Sequence, residues 1–134
     1  MIQLLVGAKG SGKTKTLIDL ANKAAELSNG SVVCIEKGDK LIHDITYKAR
    51  LINTDLFGIN CAESLFGFLC GILASNSDIT DICVDGSLKI CDGDVAGYEK
   101  MLTKLEPIVA NIHLVMTVSM PIETASEIIR AHIL

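Results

Sequence analysis

Residues Gly7-Ala8-Lys9-Gly10-Ser11-Gly12-Lys13-Thr14 match the Walker A pattern, G-x-x-x-x-G-K-[ST], without a gap or a substitution. An apolar run, Ile2 to Val6, precedes them and reads as a short buried strand. The segment from Gly12 to Ser28 carries Leu17, Leu20, Ala21, Ala24 and Leu27 at helical spacing, with Asp19, Lys23 and Glu26 on the other face. Strand, glycine loop and helix in that order form the setting in which the pattern has physical meaning. The glycines let backbone N–H groups turn toward a phosphate with no Cβ in the way. The helix N-terminus adds its partial positive charge. Gly7, Ala8, Lys9, Gly10, Ser11, Gly12, Lys13, Thr14 and Lys15 are therefore the candidate phosphate-binding residues. Lys13 is placed to reach the β- and γ-phosphates of a bound triphosphate, and the Thr14 hydroxyl to ligate Mg²⁺.

The rest of the composition fits a sheet covered on both faces. Apolar residues make up 49% of the 134 and aromatics only 4%, with no Trp, so the core is aliphatic. The length is most simply that of one domain. Net charge is −4 and the 12 basic residues are scattered, with no basic stripe interleaved with aromatics, so nucleic acid is not a favoured partner. Cys34, Cys61, Cys70, Cys83 and Cys91 form no C-x-x-C pair and read as small hydrophobes in a reducing compartment. Neither they nor His43, His113 and His132 have zinc-ligand spacing. The N-terminus lacks the features of a signal peptide. The longest apolar stretch, Leu65 to Ala74, is too short to span a bilayer. A cytoplasmic location follows as the expectation.

Strand and helix signals alternate along the chain. Ser31 to Glu36 reads as a strand, Asp39 to Arg50 as a helix and Asp55 to Ile59 as a short strand. Asn60 can cap a helix to about Ser75, Ile79 to Val84 reads as a strand, and Asp94 to Leu105 reads as a helix that Pro107 ends. Ile112 to Val118 reads as the last strand, and Pro121 opens a helix running nearly to Leu134. The order predicts an α/β domain: three αβα layers around a doubly wound, mostly parallel sheet of about five strands. Such sheets bind ligands at the carboxyl ends of their strands. Gly7, Glu36, Asp85 and Ser119 all fall at or just beyond such ends. Asp85 follows the apolar Ile82-Cys83-Val84, and a carboxylate there can hold Mg²⁺ together with Thr14. Asp81, the competing carboxylate, lies at the other end of the same strand.

With Gly7–Thr14 as Walker A and Ile82–Asp85 as Walker B, the chain resembles the P-loop NTPase superfamily over residues 1–134. The strand after Asp85, ending in Thr117 and Ser119, looks like the RecA-like and PilT-like branch. In that branch a central strand carries a polar sensor beside the γ-phosphate, a role the resemblance assigns to Ser119; the other reading of Ser119 is a residue that starts the last helix. Many members place Glu directly after the Walker B Asp to orient the attacking water, and here that neighbour is Gly86. Relatives that take this Glu from another strand end make Glu36 the candidate; its other reading is a surface carboxylate paired with Lys37 or Lys40. Lys9 is either a loop contact or an exposed lysine at the loop tip. The resemblance implies a protein that binds ATP and Mg²⁺ and hydrolyses the nucleotide slowly, in concert with a protein partner or by self-association. A nucleotide-binding regulatory module without turnover is the alternative. A small-molecule or nucleoside kinase ranks below both, because Arg50 and Arg130 are the only arginines and no phosphate-clamping cluster can form.

Overall fold

The computed structural model describes residues 1–134. Its strands are β1 (Ile2–Gly7), β2 (Ser31–Glu36), β3 (Arg50–Asn53), β4 (Ile79–Val84) and β5 (His113–Ser119). Its helices are α1 (Lys13–Leu27), α2 (Ala62–Ser75), α3 (Ser87–Ile90), α4 (Val95–Leu105) and α5 (Glu127–Arg130). Every strand pair is parallel, and the sheet order is β1-β5-β4-β2-β3. Parallel strands with both faces covered are apolar along their whole length. In β5, Leu114 to Val118 are buried without interruption.

Alternation along the strands divides the core into two. Leu4, Val33, Ile35, Ile82, Val84, Leu114, Met116 and Val118 meet α2, α3, α4 and α5 in a cluster of 25 buried residues. On the other face Val32, Cys34, Cys83 and Val115 meet Leu17 and Ala21 of α1, and Ala49, in a cluster of 7. The result is the three-layer α/β architecture that the alternating pattern implies.

Three segments depart from the sequence expectation. Asp39 to Arg50 is an irregular loop running into β3. Leu41 and Ala49 are buried and Ile45 is half-buried, whereas Ile42, expected on the same side, is exposed; side chains from elsewhere take the segment's backbone groups. The Glu36 carboxylate accepts from the Lys40 and Leu41 N–H groups, and Asn22 accepts from Thr46 N–H and donates to the Asp44 carbonyl. Such bonds compete directly with a helical ladder. The short strand lies at Arg50–Asn53 instead of Asp55 to Ile59; there, a 3₁₀ turn, Thr54–Phe57, is capped by the Asn53 side chain. The last helix is only Glu127–Arg130, preceded by a 3₁₀ turn at Ile122–Thr124. The tail beyond it lies along β1, where Leu4 N–H donates to the His132 carbonyl at 2.7 Å and Leu134 N–H to the Leu4 carbonyl at 2.9 Å. A continued helix would have left that sheet edge unpaired.

Candidate functional site

The carboxyl ends of β1, β5 and β4 share one rim. Gly7 pairs in register with Ser119, and Val84 with Met116, which puts the glycine loop, Ser119 and Asp85 along the same edge. The loop closes tightly enough that a Cβ on Gly7 would lie 2.7 Å from the Ser11 hydroxyl. Gly12, at φ 88°, turns the chain into α1 through a left-handed conformation that glycine adopts freely. No side chain caps α1, so its first-turn N–H groups lack both an intrahelical acceptor and a capping side chain. Lys13 folds back on the loop, its Nζ donating to the Ala8 carbonyl at 2.9 Å and lying 3.4 Å from Ser11 Oγ.

Asp85 sits opposite. Its N–H donates to the Ile35 carbonyl at 2.8 Å, which carries the β4–β2 pairing just past Val84. The Thr14 hydroxyl donates to Asp85 Oδ1 at 3.1 Å, across 71 residues of sequence. The Thr117 hydroxyl donates to the same oxygen at 2.9 Å and accepts from the Gly86 N–H at 2.7 Å. Thr117 is buried, and Ser119, two residues on, is exposed in the cleft. Asp81 lies toward the amino end of β4, beside His113, where it accepts from the Thr80 hydroxyl.

Glu36, at the end of β2, is buried at 3% exposure. Its Oε1 accepts from Lys40 N–H at 3.1 Å and its Oε2 from Leu41 N–H at 3.0 Å. Burial pushes the carboxyl pKa up, the two N–H bonds pull the other way, and the negative charges of Asp85 and Asp39 push it further up. Neither lysine beside it pairs with it: Lys37 bridges to Asp55 at 2.7 Å. Arg130 is occupied as well, since its guanidinium donates to the carbonyls of Ala125, Ile122 and Glu123.

Between the loop and Asp85 lies a cleft of about 700 Å³. Lys9, Lys13, Lys15 and Lys89 line it against the single carboxylate of Asp85, with Leu88 its one apolar residue. In a chain of net charge −4, this is a local concentration of positive charge suited to a polyanion. Glu36 lies outside this lining. The sequence reading names Thr117 only as a polar strand end and gives it no role, although a hydroxyl in an otherwise buried strand needs a partner. It gives Lys89 no role at all. Lys89 stands on a four-residue helix too short to show periodicity.

The donor set fits Mg²⁺ accompanied by a phosphate. Thr14 and Asp85 offer two hard oxygen ligands side by side, and Mg²⁺ takes few protein ligands, drawing the rest from phosphate and water. No group of three or more His, Cys, Asp or Glu side chains forms an all-protein metal cage. No helix is long and apolar enough to cross a membrane.

No protein-family model matches the chain, and no curated protein matches it. Among solved structures, PCH-2 of C. elegans superposes with a TM-score of 0.55 at 14% identity, over 98% of this chain and 33% of that one. The chain thus spans about a third of the length of PCH-2, and the likeness is one of fold.

Proposed function

We propose that the chain is a Mg²⁺-dependent nucleoside-triphosphate-binding protein of the P-loop type, with slow hydrolysis that self-association or a protein partner accelerates. The observation that carries this reading is the Thr14–Asp85 hydrogen bond, which brings the end of the glycine loop and the end of β4 to one point. The position of β5 between β1 and β4 supports the RecA-like and PilT-like branch, because it sets Thr117 and Ser119 between the loop and Asp85.

The residues divide the work as follows. The loop and first-turn N–H groups receive the phosphate chain. Lys13 exchanges its bond to the Ala8 carbonyl for one to the phosphates. Thr14 and Asp85 would hold Mg²⁺, which would supply neutralisation of phosphate charge. Glu36 orients water through the acceptor capacity left on its oxygens, since a carboxylate has about four lone-pair sites and two backbone bonds use two of them. The cleft contains no arginine, so charge neutralisation on the γ-phosphate is incomplete within one copy. An arginine supplied from another chain is worth roughly 10³ to 10⁵ in rate in other P-loop proteins.

Calorimetric titration with Mg-ATP tests the reading. Lys13→Ala should weaken affinity at least about tenfold, or about 1.4 kcal/mol, with the circular dichroism unchanged. Equal affinity of wild type and variant rejects a phosphate-cradling loop. The second reading, a binding module without turnover, is favoured by Gly86 standing directly after Asp85 and by the tethering of Glu36. Tight Mg-ATP binding with no phosphate release at any protein concentration would select it.

A further inference from the structure

α3 is fixed by three of its four residues. Ser87 is fully buried; its hydroxyl lies 2.8 Å from the Thr117 carbonyl, to which it donates, and 2.7 Å from the Tyr98 hydroxyl. Leu88 and Ile90 belong to the larger core cluster. Lys89 alone is exposed, and it faces the cleft. A flexible cationic side chain is thus mounted on a turn anchored by buried neighbours. Its charge is free, because the ion pairs of the chain are Lys37–Asp55, Lys48–Glu26 and His132–Glu106.

The sheet order gives Lys89 a direction. The glycine loop stands at β1, Ser119 at β5 and Asp85 at β4, with β2 beyond. Lys89 also borders a small depression lined by Lys37, Ile59, Asn60 and Asp92, toward β2 and β3. It therefore marks the far boundary of the cleft as measured from the loop. A phosphate chain cradled by the loop and directed to Asp85 has its terminal group, not its inner ones, on that side.

We propose that Lys89 is a γ-phosphate-recognition residue, supplying from within the same chain a second positive charge, after Lys13, to the end of a nucleoside triphosphate. The assignment rests on the triphosphate-binding reading above. It gives the cleft a means of distinguishing a triphosphate from a diphosphate, because a diphosphate seated on the loop ends short of Lys89. Lys9 and Lys15, on the loop and the first turn of α1, lie at the near side and contribute to both ligands alike.

The test is the affinity for Mg-ATP and for Mg-ADP, measured by calorimetry on wild type, Lys89→Ala, Lys89→Arg and Lys15→Ala. Lys89→Ala should weaken Mg-ATP about tenfold while leaving Mg-ADP within about twofold, and Lys89→Arg should restore most of the difference. Lys15→Ala should weaken both ligands by similar factors. An unchanged ATP-to-ADP ratio in Lys89→Ala, or an equal loss of both ligands, overturns the assignment of Lys89 while wild-type Mg-ATP binding upholds the wider reading. A wild type that binds neither nucleotide overturns both. Because Lys89 is exposed and unpaired, the variant's thermal transition should match wild type, so a loss of ATP affinity is not a loss of fold.

Discussion

Two neighbouring strands of this sheet end in a carboxylate, and the two are treated in opposite ways. Asp85, at the end of β4, is half-buried, lines the cleft and accepts only from the hydroxyls of Thr14 and Thr117. Glu36, at the end of β2, is buried and accepts only from the main chain. Hydroxyls rotate and can release an acceptor when a metal or a phosphate arrives, whereas the N–H groups of Lys40 and Leu41 have no other partner if Glu36 lets go. One carboxylate is thus set up to exchange ligands, and the other is tied to the loop after β2, with only its remaining acceptor sites open to a water.

The sharpest way to break this contrast is to alter both ends and measure fold and binding on each. Glu36→Ala leaves the N–H groups of Lys40 and Leu41 without acceptors beside the buried Leu41 side chain, and should cost about 2–4 kcal/mol in urea unfolding. Asp85→Asn keeps an oxygen that accepts from both hydroxyls, and should stay within about 1 kcal/mol of wild type. The same Asn should remove most of the gain in ATP affinity that Mg²⁺ confers, with Asp81→Asn as the silent control. A large loss of stability in Asp85→Asn and a small one in Glu36→Ala would reverse the assignment.

A smaller effect sharpens the β4 side of the comparison. Thr117 ties Asp85 to the Gly86 N–H, and its isostere valine leaves that N–H without its acceptor. Thr117→Val should cost about 1–2 kcal/mol and reduce the Mg²⁺ dependence of ATP binding a few-fold, with Thr117→Ser restoring both. Ser119→Ala should change Mg²⁺ dependence by less than about twofold, because Ser119 makes no bond to Asp85. If Ser119→Ala proved the more damaging to Mg²⁺ dependence, the sensor would be Ser119, as the family resemblance implies, and Thr117 would be structural.

What could be read in the sequence was what is locally determined. β1, the glycine loop, α1 and the run into Asp85 each carry their signal within a few residues, and the structure forms them where that signal stands. The loop after Glu36 could not be read, because its conformation is imposed by Glu36 and by Asn22, a residue on α1. The apolar spacing of Leu41, Ile42, Ile45 and Ala49 reports the burial of Leu41 and Ala49, fails at the exposed Ile42, and says nothing of that competition. The tail after Arg130 was equally opaque: its pairing with β1 joins the two ends of the chain. For the candidate cleft, Thr14 and Asp85 stand at the ends of their sequence patterns and Thr117 shows as a polar strand end, while the bond of Thr117 to Asp85 and the place of Lys89 emerge only once β5 is seen between β1 and β4.

The last and smallest effect is in the pH dependence of Glu36. Burial raises its carboxyl pKa in the folded chain, the backbone bonds oppose this, and the charges of Asp85 and Asp39 reinforce it. A raised folded-state value means that the native protein binds the proton more tightly than the unfolded chain does. The stabilisation this provides is complete below the ordinary carboxylate range and is lost as pH rises through the elevated folded value. Glu36→Gln cannot titrate, so the stability difference, wild type minus variant, isolates this one group from the other carboxylates. That difference should be greatest in acid, fall with rising pH, and level off above the folded value. In an Asp85→Asn background one opposing charge is gone, so the fall should move to lower pH. If the difference instead grows with pH, the N–H groups of Lys40 and Leu41 outweigh burial, and Glu36 is a carboxylate stabilised in its ionised form. The contrast between the two strand ends would then lie in the mobility of their partners alone.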